Sequence, residues 1–181
     1  MTHNPNLSYS PDELGQTLWL MSEKATEGFY PTFKSLVEET GYSFDPACDD
    51  NFKSELRRIN LWVIAKAFGS DDFALNALHQ VYLTAISENL EPSERGLERL
   101  EQEKQMIAER YQEYFHAWKD AGMDQFELAK AMLKHLVPDP GRSCDINLQY
   151  QLLANILTTM RDVLQYRSDF IEIERSYRGL A

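Results

Sequence analysis

The sequence predicts an all-α fold: an irregular antiparallel bundle of six or seven helices with a long C-terminal helix. Three observations lead there. Apolar residues recur every three or four positions in segment after segment from Pro11 onward. The breaks between segments are short and rich in Gly, Pro, Asp and Ser. No stretch shows the period-two alternation of a convincing strand. Connections of about two to eight residues favour antiparallel neighbours.

The first helix begins with Ser10 as N-cap, Pro11 at its first position and Asp12 and Glu13 in its first turn, with Glu13 placed for a capping box. Leu14, Leu18, Met21 and Ala25 recur up to Gly28, and a second short piece is expected from Pro31 to Thr40. Tyr42 to Asp49 reads as a loop through Asp45 and Pro46. From about Asp50 to Phe68 the pattern is helical again, and Leu61 to Phe68 is apolar all round except for Lys66, as in a helix surrounded by others. Gly69 ends that helix, and Ser70 caps the next, which runs to about Leu90 through Ala74, Leu78, Val81, Tyr82 and Ala85. Pro92 opens a long helix lasting to Ala121. Asp124 caps a shorter one with Phe126, Ala129, Leu133 and Leu136, and Pro138, Pro140 and Gly141 break the chain again.

The last segment, Asp145 to about Arg178, is the longest pattern and is expected to organise the rest. At roughly 100° per residue, Ile146, Tyr150, Leu153, Leu157, Met160, Leu164 and Ile171 share one line. Ile156, Val163 and Phe170 flank it, and Asn147, Gln151, Thr158, Arg161, Gln165, Asp169 and Glu172 lie away from it. Such a helix is about 50 Å long, enough to span a domain whose radius of gyration is roughly 16 Å.

At 181 residues the chain suits a single domain, 1–181, with residues 1–9 expected to be flexible. Its 43% hydrophobic and 12% aromatic content is that of a folded chain. The formal charge of -11 repels phosphate and anionic lipid, so neither nucleic acid nor membrane is an expected partner. The first ten residues carry no signal-peptide pattern, and Cys48 and Cys144 are too few for a disulfide framework, so the expected compartment is cytoplasmic. The two cysteines share a context, a turn followed by a Cys and an acidic helix start, which leaves their pairing open.

One spacing points to metal chemistry: Glu113 and His116 form the E-x-x-H of di-iron helical bundles. No second E-x-x-H exists in the chain, and the line of Glu109, Glu113, His116 and Asp120 faces away from Ile107, Tyr111, Tyr114 and Trp118. The expectation is a solvated polar face, with no metal and no cofactor. His79 and His135 are expected at boundary or exposed positions. Phosphate-cradling loops, G-x-S-x-G and Cys-x-x-Cys are all missing, so no catalytic residue is assigned and an enzyme is the lesser expectation. The Glu91 to Gln105 stretch, with only Leu97 and Leu100 apolar, reads as the solvated end of a long helix, with an acidic binding surface as its sharper reading.

The favoured function is an acidic interaction or adaptor module without its own chemistry, binding another protein or itself. Its expected interface is Arg167, Phe170, Ile171, Glu174 and Tyr177, because Arg167 and Glu174 interrupt the apolar arc two turns apart and aromatic and Arg residues suit interface centres. The alternative is a bundle with an internal aromatic-lined ligand pocket, serving as a sensor or an enzyme, and containing Lys66 or Tyr82. A DNA-mimicking acidic surface is a weaker third idea.

Overall fold

The computed structural model describes residues 11–69, 72–88, 93–120, 125–137, 139, 141 and 144–178; the side chains of residues 11, 72, 73, 94, 120 and 170–178 fall outside that description. Six helices make up the described chain: α1 Pro11–Glu39, α2 Pro46–Phe68, α3 Asp72–Glu88, α4 Glu94–Asp120, α5 Gln125–Leu136 and α6 Ile146–Arg178. No strand occurs among the described residues. The expected flexibility of residues 1–9, the Ser10, Ser70 and Asp124 caps and the helix-opening Pro92 lie outside the described residues.

The bundle is arranged around α2 rather than around the C-terminal helix. Every residue from Arg58 to Ala65 is buried, and Phe52, Glu55, Leu56, Ala67 and Phe68 join them. Helices α1, α3, α4, α5 and α6 all touch it. Two apolar clusters meet along its length. One joins Phe52, Leu56, Ile59 and Trp62 to Phe33 and Val37 of α1, Tyr114 of α4, the inner face of α5 and Leu148, Leu152 and Ile156 of α6. The other joins Leu61, Ile64 and Phe68 to Leu14 and Leu18 of α1, Ala74, Leu78 and Tyr82 of α3, Ile107 of α4 and Val163 of α6. The all-round apolar run from Leu61 to Phe68 is thus enclosed, with only Lys66 reaching half-buried space.

Helix α2 begins earlier than its sequence pattern suggests. Asp45 caps it by accepting from the Cys48 N–H at 2.7 Å, Pro46 takes the first turn where no N–H is needed, and the expected loop ends four residues sooner. Gly69, at φ 77°, closes the other end by donating its N–H to the Ala65 carbonyl at 3.1 Å.

Helix α1 is one continuous element, and the expected break at Gly28 to Pro31 is absent. An internal proline costs about 3 kcal/mol of helix stability. Here Phe33 and Val37, both fully buried beyond Pro31, hold the second half against α2, and Pro31 itself faces solvent. Packing wins over propensity.

The face that α6 buries also differs from the expected line. Leu148, Leu152, Leu153, Ile156, Thr159 and Val163 are buried, together with Gln149. Ile146 is 73% exposed, Tyr150 62%, Leu157 46% and Leu164 44%. The helix has turned by about 100° from the expectation, a rotation of one residue step. Leu153 is the member of the expected line that stays in the core, with Met160 half-buried beside it.

Helices α1 and α3 approach closely at Gly15. A Cβ there would lie 2.5 Å from the Ala77 carbonyl oxygen and 3.0 Å from Val81 Cγ2. Gly28, on the same helix, has nothing within 4 Å of its added Cβ. Gly15→Ala is therefore expected to lower stability by about 1–3 kcal/mol through overpacking against backbone, whereas Gly28→Ala raises it by about 0.5–1 kcal/mol. Urea unfolding of the two variants checks both signs in one experiment.

Candidate functional site

Two places concentrate polar or unpartnered groups: a buried ion cluster with its adjoining cleft, and the outer line of α6.

The ion cluster lies where α2, α3 and α4 meet. Arg58 is 4% exposed and donates from Nη1 to Glu55 Oε1 at 2.7 Å and from Nε to Glu103 Oε1 at 2.8 Å, and its Nη2 reaches Glu103 Oε2 at 2.5 Å. Arg110 forks onto the other side of Glu55, with Nε and Nη2 both at 3.0 Å. Tyr82 donates its hydroxyl to Glu103 Oε1 at 2.5 Å. Two guanidinium groups face two carboxylates, so the cluster is neutral as a whole, and its forked geometry satisfies most of the donors that burial would otherwise strand. The expectation that Glu91 to Gln105 is a solvated end is corrected at Glu103, which is 8% exposed and turned into the bundle. A single carboxylate one turn from exposed acids has no distinguishing pattern in the sequence.

Beside this cluster, α1, α2, α3 and α4 line a cleft of about 450 Å³. Trp19 and Tyr82 form one wall with ring centroids 5.2 Å apart, and Ile86 extends it. Arg57 and Glu23 face them as a closed pair at 2.8 and 3.2 Å, and Glu103 is already held by Arg58 and Tyr82. Arg99 is the lining charge that makes no ion pair among the described residues. Burial would raise the Glu103 carboxyl, but the bonds from Arg58 and Tyr82 hold it below the usual carboxylate range. Burial and the nearby Glu103 charge push the Tyr82 phenol far upward. Both groups keep one protonation state through the neutral range, which suits structure better than proton transfer.

Lys66, the other expected pocket residue, does not line this cleft. Its ammonium lies 5.1 Å from the Trp118 ring centroid and 5.7 Å from that of Phe115, a cation-π contact on a different face of α2.

Glu113 and His116 do not come together. His116 is exposed, whereas Glu113 takes Nε2 of His135 at 2.7 Å and the ammonium of Lys134 from α5. Burial lowers the His135 pKa in spite of that carboxylate. His79, also lowered by burial, meets the Tyr111 hydroxyl at 3.0 Å. Among the described residues no group of three His, Cys, Asp or Glu side chains is placed to hold a metal ion. Cys48 and Cys144 are both free.

Of the expected interface, Arg167 is half-buried and donates from Nη1 to the Ala67 carbonyl at 3.4 Å, answering the partial negative charge at the C-terminus of α2. The side chains of Phe170, Ile171, Glu174 and Tyr177 lie outside the described residues. The unpartnered apolar groups of α6 fall earlier in the helix. Ile146, Tyr150, Leu157 and Leu164 account for half of the eight large hydrophobic side chains that stand exposed among the described residues. A shallow depression of about 410 Å³ runs along Leu157, Met160, Leu164 and Ser168. The sequence line drew the same residues together but assigned them to the core.

No family model matches this chain, and the searches of curated proteins and of solved structures returned no match either. Among the described residues no helix is long and apolar enough to cross a membrane.

Arg58→Ala is expected to cost about 3–5 kcal/mol, because it leaves Glu103 buried without its counter-charge, with only the Tyr82 hydroxyl bonded to it, while Glu55 keeps Arg110. Glu103 has its folded-state pKa below that of an ordinary, unfolded-chain glutamate. Its stabilisation is therefore present above the unfolded-chain value and is lost as the pH falls through the folded-state value. Denaturant unfolding between pH 3 and pH 7 should show a shallower acid limb for Glu103→Gln than for the parent chain.

Proposed function

We propose that the protein is an interaction module that docks another polypeptide through the outer line of α6 and has no catalytic chemistry of its own. The observation carrying this reading is the run of Ile146, Tyr150, Leu157 and Leu164, which stay 44–73% exposed along one face of the longest helix. Scattered exposed apolar residues need no explanation, but a contiguous line on one helix is what a helix-docking surface presents. The formal charge of -11 elsewhere keeps the chain soluble and discourages unspecific contact.

The experiment is affinity capture with the tagged chain against its Leu157→Asp/Leu164→Asp double variant. Both substitutions fall on exposed positions, so circular dichroism should report equal helix content. The reading predicts a stoichiometric protein partner, or an untagged second copy, retained by the parent and lost by the variant. Equal retention by both, or none by either, contradicts it.

A second reading, ligand binding in the Trp19 and Tyr82 cleft, is favoured by one observation: Arg99 brings a positive charge without an ion-pair partner among the described residues beside an aromatic wall. The matching chemistry is a small aromatic carboxylate. Titration with phenylacetate should then quench tryptophan fluorescence, less so in Arg99→Ala, while benzylamine has no effect. Indifference to phenylacetate dismisses the cleft as a site.

A further inference from the structure

We propose that the outer line of α6 docks a second copy of this chain, the two helices running antiparallel about a two-fold axis beside Asn155. The inference rests on the docking reading above and names the occupant of that surface.

The spacing of the outer line suits a helix pair. Ile146, Tyr150, Leu153, Leu157, Met160 and Leu164 are separated by alternating steps of four and three, the 3.5-residue repeat that keeps a seam facing a partner helix over several turns. Within the monomer this seam is only half used. Leu153 is 7% exposed and Met160 half-buried, so they form the inner shoulder against the core, whereas Ile146, Tyr150, Leu157 and Leu164 stand free.

The line is also self-complementary. In an antiparallel pair, facing residues have numbers that sum to a constant. With the axis beside Asn155, Ile146 faces Leu164 of the second copy and Tyr150 faces Met160, while Leu157 comes over the outer edge of Leu153, whose side chain packs into its own core. Every layer is apolar against apolar, and the symmetry of a two-fold interface repeats each layer. Flanking the seam, exposed Ala154 falls nearest the axis, where a small side chain lets the helices approach to about 8–10 Å. Asn147 falls opposite Arg161, a neutral acceptor for a guanidinium.

Charge favours the same pairing. From Ile146 to Leu164 the exposed face also presents Asn147, Ala154, Thr158 and Arg161, with no acid on the seam itself. Asp162 lies roughly 160° round the helix from Ile146 and is held by Arg161 at 2.8 Å. In a chain of net charge -11, this is a face on which two copies can meet without opposing carboxylates.

The seam from Ile146 to Leu164 is about 27 Å long. Two such faces bury an area near the low end for specific contacts, roughly 1,000 Å² in total, so the dimer should have a Kd of about 10–100 µM.

Sedimentation velocity from 5 to 500 µM tests the dimer, with Leu157→Glu and Leu164→Glu as variants whose exposed positions leave the fold intact. The parent should pass from monomer to dimer over that range, and each variant should stay monomeric at concentrations at least tenfold higher. Orientation is read in a Cys48→Ser/Cys144→Ser background. Ala154→Cys should form a disulfide-linked dimer by itself, and an Asn147→Cys chain should cross-link to an Arg161→Cys chain faster than either does alone. A parent that remains monomeric at 500 µM, a dimer indifferent to Leu157→Glu, or preferential self-linking of Arg161→Cys overturns the proposal. If the pure chain stays monomeric while a different protein is captured through Leu157 and Leu164, self-pairing fails and the docking reading stands. If neither occurs, both fail.

Discussion

The structure depends on a helix that is buried on all sides and yet carries charge. Arg58 begins the eight-residue stretch of α2 in which nothing reaches solvent, and a guanidinium in such a place is tolerable only with its hydrogen bonds answered. Glu55 answers from one turn earlier on the same helix, Glu103 from α4, and Arg110 and Tyr82 complete the ring from α4 and α3. These bonds are directional, unlike the apolar contacts around them. They set which faces of α3 and α4 look inward and at what height along α2 each must sit. The forked Arg58 and Glu103 contact fixes the relative orientation of two planar groups as well as their separation.

A fully enclosed α2 leaves little for α6 to do beyond closing one side. Its inner stripe of Leu148, Leu152, Ile156 and Val163 meets both clusters, and Arg167 ties its later turns to the end of α2. A helix of 33 residues with apolar residues on more than one face cannot bury all of them against a single layer. The surplus is the outer line. Packing of the monomer thereby creates the surface on which the proposed association relies, and the same constraint explains why that line begins at Ile146, where the helix leaves its Asp145 cap.

Much of the fold was legible in the sequence because helix periodicity and its stop signals are local. The Gly69 terminus of α2, the Asp145 cap of α6 and the enclosed Leu61 to Phe68 run all rest on residues within a few positions of one another. What escaped was set by distant partners. Pro31 reads as a break unless Phe33 and Val37 are known to have a core to enter. Gly15 carries no mark of its close approach to the Ala77 carbonyl sixty-odd residues away. Glu55, Arg58 and Glu103 look like ordinary polar positions until they are found within bonding distance of each other. In α6 two apolar lines compete, and the outer one is the more uniformly apolar because Gln149 and Thr159 dilute the inner one. Hydrophobicity alone therefore picks the wrong side, and the pairing of Glu113 with His135 rather than His116 is likewise decided between helices.

The orientation of α6 is the claim from which the functional reading descends, and methyl NMR with a soluble paramagnetic agent tests it directly on dilute protein. Strong relaxation of the Ile146, Leu157 and Leu164 methyls is expected, with protection of those of Leu148, Leu152 and Ile156. Protection of Leu157 and Leu164 with exposure of Leu152 and Ile156 would contradict it, because the helix would then present its other face to solvent.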